Sequence, residues 1–303
     1  NFDALHPLIS KYPGRTMLCT DDLDAADLAN GHIDRLVARA IAAGHDVFTV
    51  LEAACLTPRQ HYGLDIRGVR PGERFTAVLL DDLVGVRPRR TWLAGELVAE
   101  DGACLLPRAE PLPINAFGAE PVAASDLVVP ASNVADQTAR CRVITATDGA
   151  LITGSELVDL PVTAGQVRPD PDADVLLVAV VNRYRPAPPA VGFIRGFGFR
   201  RGAIASSVAH DSHNIIGVGV GADSLAAAIN AVIEQRGGLS LTDGQTVEVL
   251  PLPIAGLMSD QDAATVAERF GRFNGLAAER LGSRPRRPFM TAAFMSLLVI
   301  PSL

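Results

Sequence analysis

Ala203-Ile204-Ala205-Ser206-Ser207-Val208-Ala209-His210-Asp211-Ser212-His213-Asn214 runs without a break into Ile215-Ile216-Gly217-Val218-Gly219-Val220. The second stretch is a short apolar run that reads as a buried strand. The first crowds two imidazoles, a carboxylate and an amide into its last five positions. Polar groups that dense beside a core element must be hydrogen-bonded, metal-bound or turned to a cavity. His210, Asp211 and His213 could be three ligands, or a base, its orienter and a hydrogen-bond donor. In an extended approach to the strand, Asp211 and His213 share one side and His210 takes the other, unless the segment bends. The plainer reading is an internally satisfied polar turn at a domain interface.

Upstream of the serines lie Gly192-Phe193-Ile194-Arg195-Gly196-Phe197-Gly198 and Arg200-Arg201-Gly202. Glycines permit close backbone approach. A phosphate loop needs strand, glycine loop and helix in that order. This run leads to a strand instead, which argues against a nucleotide phosphate. Arg140–Ala146, Val175–Val181 and Thr246–Leu250 read as further strands. Asp223 is expected to cap a helix carrying Leu225, Ile229, Val232 and Ile233, stopped by Gly237-Gly238. Asp260–Arg280 is expected to be a helix ending near Leu281-Gly282. These elements make residues 125–303 one α/β domain.

The N-terminal region reads differently. Residues 1–12 suggest the end of a helix, and Thr16-Met17-Leu18-Cys19-Thr20 a short strand that stops at Asp21-Asp22. A carboxylate at the C-terminal end of a short apolar strand is how α/β barrels present a site residue. Such a carboxylate can ligate a divalent metal or relay a proton. Asp24 or Asp27 can cap the helix that follows. Ile33, Leu36, Val37, Ala40 and Ile41 have helical spacing, with Gly44 as the stop. Asp46 caps a second helix that Thr57-Pro58 ends, with a helical turn through His61. His32 and His45 make no ligand pair with Asp21 by spacing, and surface or helix-packing roles are their default. A turn at Gly68-Val69-Arg70-Pro71-Gly72 precedes strands at Phe75–Leu80, Arg90–Leu93 and Glu96–Val98, a small antiparallel unit over 66–110. Pro107–Pro113 reads as a linker.

At 303 residues the chain is long enough for about two domains. Its 48% hydrophobic content and mean hydropathy of +0.23 exclude a disordered chain. The longest apolar run, near Val175–Val181, is too short to span a bilayer, and no signal peptide opens the sequence. A soluble, cytoplasmic protein is the expectation. A net charge of −7 argues against nucleic acid as partner, and the basic run Arg284-Pro285-Arg286-Arg287 reads as a solvated turn. Cys19, Cys55, Cys104 and Cys141 are scattered, which suggests reduced and mostly buried thiols. The chain opens without methionine and reads as part of a longer protein.

Taken together, Leu18-Cys19-Thr20-Asp21-Asp22 followed by Gly31-His32-Ile33-Asp34, the long block from Gly196 through Asn214, Leu252-Pro253-Ile254-Ala255-Gly256-Leu257-Met258-Ser259, and Pro288-Phe289-Met290-Thr291 resemble bacterial adenine deaminase. The motifs stand in family order along the whole chain, and the histidine-bearing block is the specific one. The resemblance implies an α/β fold of the amidohydrolase superfamily. Residues 1–65 would be the end of a metal-dependent (β/α)8 barrel, 66–124 a small β-sandwich segment and linker, and 125–303 the C-terminal α/β (α+β) domain.

The implied reaction is adenine plus water giving hypoxanthine plus ammonia, in purine salvage. Asp21 would be a metal ligand and the acceptor of the attacking water's proton. His210, Asp211 and His213 would work at the mouth of the barrel towards substrate, and Ser206, Ser207 and Asn214 would help bind it. The implied cofactor is a binuclear divalent centre, Mn²⁺ with Fe²⁺ or Zn²⁺ as alternatives, and the implied assembly a homodimer. Family members carry an early His-x-His pair and further ligands before the position of Asn1, so this chain corresponds to the C-terminal half. It also departs from the superfamily pattern Pro-Gly-x-x-Ala-Asp-Leu, since Pro71-Gly72 leads to Thr76-Ala77. Two other readings stand beside this one: a related hydrolase of cyclic amidines or amides, and a non-catalytic covering or dimerisation module.

Overall fold

The computed structural model describes residues 1–65, 69–112, 114–132 and 137–299. Gly68 of the expected turn and Pro113 of the expected linker lie outside the described residues. The chain separates into two compact units, Asn1–Glu110 and Pro111–Leu303.

The first unit opens with helices: α1 (Phe2–Leu5), α2 (Pro7–Lys11), α3 (Ala25–Ala29), α4 (Ile33–Ala42), α5 (Val47–Leu51) and α6 (Thr57–His61). Asp24 caps α3 by accepting from the Asp27 N–H (2.8 Å), and Asp46 caps α5 through the Thr49 N–H (2.9 Å). Pro58 does not end the second helical run. A π turn over Glu52–Leu56 joins α5 to α6, and Pro58 lies near the start of α6 within this continuous run. Ile9, Val37, Ala40, Val50 and Val86 form this unit's small core. Strands β1 (Ala77–Leu80), β2 (Pro88–Leu93), β3 (Glu96–Glu100) and β4 (Ala103–Cys104) follow as one antiparallel meander in that order.

Thr16–Thr20 forms no strand. The Leu18 N–H donates to the Ala53 carbonyl (3.3 Å), and none of the described strands pairs with the segment. A strand exists through its ladder, and an apolar sequence without a neighbour stays irregular.

The second unit is built on a ten-stranded sheet. In chain order its elements are β5 (Val129–Pro130), β6 (Thr138–Thr145), β7 (Gly154–Thr163), β8 (Gln166–Val167), β9 (Leu176–Val181), β10 (Ala190–Arg195), β11 (Ala203–Ser206), β12 (Ile215–Gly219), α7 (Ala222–Glu234), β13 (Gly238–Thr242), β14 (Val247–Pro251), α8 (Ala263–Leu276) and α9 (Pro288–Phe294). The strand order is β14-β13-β11-β12-β9-β10-β6-β7-β8-β5. Among the described residues, only the β10–β6 pair is parallel. Leu176 and Val178 of β9 face a core shared with Phe273 and Leu276 of α8 and Phe289 and Ala292 of α9. Leu177, Ala179 and Val181 face the opposite core, against Leu225, Ile229 and Val232 of α7. Helices thus cover both faces, which is why the central strands read as continuous apolar runs.

Three further expectations need correction. Gly221, not Asp223, occupies the N-cap of α7, and Asp223 lies within its first turn. Asp262 rather than Asp260 starts α8, accepting from the Thr265 N–H (2.9 Å). Cys19, Cys55 and Cys104 are exposed and Cys141 half-buried, so the free thiols are not mostly buried. Ala203–Ser206, directly after the glycine run, is a central strand, in keeping with the reading that this run leads to a strand. Among the described residues, no helix is long and apolar enough to cross a membrane.

Candidate functional site

Register brings several chain segments to one end of the large sheet. In β11 and β12, Ser206 pairs with Ile216, which leaves Ser207–Asn214 as the connection between antiparallel neighbours. Ile215 of β12 also pairs with Val181, so the chain leaving β9 emerges beside the chain entering β12. Ser206 pairs with Leu239 of β13, and Gly238 with Pro251 of β14. The histidine loop therefore sits among Asn182–Arg185, Gly237–Gly238 and the turn after β14.

The loop is bent rather than extended. The His213 N–H donates to the Ala209 carbonyl (2.6 Å), and His213 adopts φ 51°. Histidine enters this left-handed region more readily than most side chains. The bend replaces the alternation expected of an extended approach. It brings the His210 and His213 rings to a centroid separation of 6.1 Å, while Asp211 is exposed. His210 also stacks on Phe294 of α9 at 4.6 Å, and its N–H donates to the Ala293 carbonyl (2.9 Å). Among the described residues, no three His, Cys, Asp or Glu side chains come together so as to hold a metal ion. The imidazoles and the Asp211 carboxylate thus do not form the three-ligand cluster that their spacing allowed.

Ser206 and Ser207 are enclosed, at 1% and 0% exposure. Ser206 Oγ accepts from the Val208 N–H (2.9 Å). Ser207 Oγ–H donates to the Gly256 carbonyl (2.6 Å) and accepts from the Gly238 N–H (2.8 Å). Both hydroxyls therefore have partners within the protein. Asn214 Oδ1 accepts from the Arg183 N–H (3.4 Å), and Asn214 Nδ2 donates to Ser212 Oγ (3.2 Å).

The glycine loop before β11 closes on a protein carboxylate. The Gly196 and Gly198 N–H groups donate to Asp174 (3.1 and 2.6 Å), and Arg284 Nη1 completes the set at 3.0 Å. A Cβ on Gly196, at φ 104°, would lie 2.1 Å from the Ala146 carbonyl oxygen. Arg284 of the basic run is thus ion-paired with a nearly buried aspartate.

Asp21 lies in the first unit, exposed and at φ 56°. One carboxylate oxygen accepts from the Asp22 N–H (3.0 Å). His32 sits near it in sequence and pairs with the Thr20 hydroxyl (2.9 Å). His45 meets His6 at 2.9 Å and the Ser10 hydroxyl at 2.6 Å. Both histidines keep the helix-packing and surface roles that spacing suggested.

Sequence reasoning passed over Arg183 and Tyr184. Arg183 is 5% exposed, and its guanidinium donates to the Ala255 carbonyl (2.6 Å) and to Tyr184 Oη (3.2 Å). Tyr184 Oη–H donates to the Ser212 carbonyl within the histidine loop (2.8 Å). The one available signal was a charged side chain two residues after the wholly apolar β9.

The family model described as the adenine deaminase C-terminal domain matches residues 150–303. The adenine deaminase of Salinibacter ruber is 49% identical over all of this chain and 55% of its own length. That of Sulfurovum sp. is 42% identical over all of this chain and 54% of its own, and that of Methanosarcina acetivorans 41% over all of this chain and 56% of its own. The chain thus spans about half the length of the curated relatives it matches. The family match covers strands β7 to β14, the helices α7 to α9 and the histidine loop, and the likeness to the relatives runs from end to end: this chain belongs to the adenine deaminase family.

Proposed function

We propose that this chain supplies the C-terminal part of a metal-dependent adenine deaminase, a cytoplasmic homodimer that hydrolyses adenine to hypoxanthine and ammonia in purine salvage. One observation carries the reading: relatives named adenine deaminase are up to 49% identical to it over its whole length. The end of a (β/α)8 barrel is the role we assign to residues 1–65. Two features of the first unit support that role. Leu5, Phe48, Leu56 and Tyr62 are exposed there, as helices that lack an apolar partner would leave them. The Thr16–Thr20 backbone is unpaired with any described strand, as a barrel strand without its neighbours would be.

A divalent cation, Mn²⁺ in this reading with Fe²⁺ or Zn²⁺ as alternatives, fits Asp21 as one ligand. The side chain is a hard oxygen donor, exposed, with one oxygen engaged locally. The further ligands of a binuclear centre would come from polypeptide outside these 303 residues. When bound, such a cation supplies Lewis acidity and brings the pKa of water towards neutrality. Asp21 would take the proton of the attacking water and pass it to the departing amine. The imidazoles of His210 and His213 would serve as donors or acceptors toward the purine ring, and the carboxylate of Asp211 as an acceptor. Asn214 would bind substrate through its amide. Ser206 and Ser207 would act through the shape they give the loop, since both hydroxyls are used internally.

The test is ammonia release from adenine by the complete gene product with Mn²⁺. Asp21→Asn keeps the size and removes the base. Turnover is expected to fall by about 10²–10⁴-fold, the usual worth of a general base. Full turnover in that variant would remove Asp21 from the mechanism. Activity on other cyclic amidines but none on adenine would replace the substrate and keep the reaction class.

A further inference from the structure

Arg183 is a buried cation with no carboxylate within ion-pair distance among the described residues. Its Nε–H is enclosed without a hydrogen-bond partner. Both features are costly for a residue that merely fills space. What the side chain does is tie together the two ends of the histidine loop. On one side, Nη1 donates to the Ala255 carbonyl (2.6 Å), and a Cβ on Gly256 would lie 2.2 Å from that nitrogen. The Gly256 carbonyl in turn accepts from Ser207, the first residue of the loop (2.6 Å). On the other side, Nη2 donates to Tyr184 Oη (3.2 Å), which donates to the Ser212 carbonyl (2.8 Å). The Arg183 N–H reaches Asn214 Oδ1, the last residue of the loop (3.4 Å). His210 and His213 lie between these two anchors. The guanidinium also stands 4.9 Å from the centre of the Tyr184 ring, which orients the phenol.

We propose that Arg183 and Tyr184 are positioning residues for the deamination, holding the His210–Asn214 loop in register with the substrate. This rests on the function proposed above. Neither side chain need touch the purine. A planar guanidinium serves two acceptors at fixed angles, which a single ammonium cannot do. The shared Tyr184 hydroxyl makes the two residues one device. Its loss would let the loop drift while the sheet beneath stays intact, because Tyr184 is 49% exposed and outside the core.

The experiment uses the complete gene product with Mn²⁺ and the variants Tyr184→Phe, Arg183→Lys, His210→Asn and Tyr184→Phe/His210→Asn. Tyr184→Phe removes one oxygen and is expected to lower kcat for adenine by about 10–100-fold, the cost of a misplaced group, with little change in KM. Arg183→Lys is expected to fall in the same direction. The melting temperature of Tyr184→Phe should stay within about 2 °C of wild type, as for a surface change. Amide hydrogen exchange should quicken at Val208–Asn214 and nowhere in β11 or β12. The double variant should be no slower than His210→Asn alone, because the two changes act through one loop. Independent multiplication of the two losses, full kcat in Tyr184→Phe, or full kcat in His210→Asn would each overturn the proposal. A wild-type protein that leaves adenine untouched would refute the substrate reading instead. The exchange measurement then still decides: unchanged protection in Tyr184→Phe refutes the anchoring, and loss confined to the loop sustains it.

Discussion

Ser207 stands at the foot of the histidine loop with its hydroxyl completely enclosed. That oxygen joins three segments, since it accepts from the Gly238 N–H and donates to the Gly256 carbonyl. Ser207→Ala would strand a buried N–H and a buried carbonyl together. The expected loss is about 1–3 kcal/mol of unfolding free energy, read from urea denaturation. An unchanged midpoint would mean that the hydroxyl does not bridge the start of β13 and the turn after β14. Sequence alone could mark Ser206-Ser207 as polar residues among apolar ones, and no more. A serine that faces a ligand and one that staples two backbones have the same pattern in sequence. The two histidines were legible as residues that must be satisfied, because imidazoles beside a core strand are uncommon. Their mutual approach was not, since it depends on His213 entering the left-handed region. Arg183 was missed for a related reason. Its burial comes from the Ala255–Gly256 turn, 72 residues away in sequence.

The β13–β14 hairpin shows how much of an element one carboxylate can hold. Asp243 Oδ1 accepts from the Gln245 N–H (2.9 Å), the Thr246 N–H (2.9 Å) and the Thr246 hydroxyl (3.2 Å). The Thr246 and Gln245 amides, with Arg280 nearby, hold its carboxyl down to about 2 from 3.8. A folded-state value below the unfolded one means that this turn contributes stability above the unfolded pKa. That contribution is lost as pH falls from about 4 through about 2. Wild-type unfolding midpoints should therefore drop over that window, and Asp243→Asn should show a shallower drop there. Parallel pH curves for the two proteins would show that the carboxylate does not secure the hairpin. Elements with a strong local pattern were readable: α4 from its apolar spacing and the meander β1–β3 from its turns. α7 was readable too, although Gly221 rather than Asp223 caps it. Thr16–Thr20 was misread because an apolar run specifies a strand only when a neighbour pairs with it. β7 and β13 escaped notice because hairpin partners and glycines at the strand start dilute the apolar signal.

At the scale of the whole molecule, the order of the ten strands could not be read from sequence, because β11 reaches β13 and β9 reaches β12 across long intervening stretches. The same non-local bonding determines where the second unit can be cut. Asn115 Nδ2 donates to the carbonyls of Arg236 and Pro253 (2.7 and 3.1 Å), and the Gly118 N–H to that of Arg183 (2.7 Å). The Ala255 N–H donates to the Ile114 carbonyl (2.6 Å). Val122 exchanges two hydrogen bonds of 2.9 Å with the Asn230 side chain of α7 and buries its own side chain in the adjoining core. A fragment of residues 111–303 keeps all of these contacts and both cores, so it should unfold cooperatively in urea. A fragment of residues 125–303 retains the sheet and helices but takes from the Asn230 amide and the Arg183 carbonyl the partners that Val122 and Gly118 supply. It should be less stable by about 2–5 kcal/mol, several hydrogen bonds at about 1 kcal/mol each plus the lost burial. Residues 1–110 should behave differently again. Phe48 and Tyr62 are 73% and 67% exposed beside a core of five fully buried side chains, so this fragment should bind a hydrophobic dye more strongly than 111–303. Equal urea midpoints for the two longer fragments would show that residues 111–124 are an ornament on the second unit. A midpoint gap in the expected direction would make them part of its fold and, through Gly118 and Ile114, part of the support beneath Arg183.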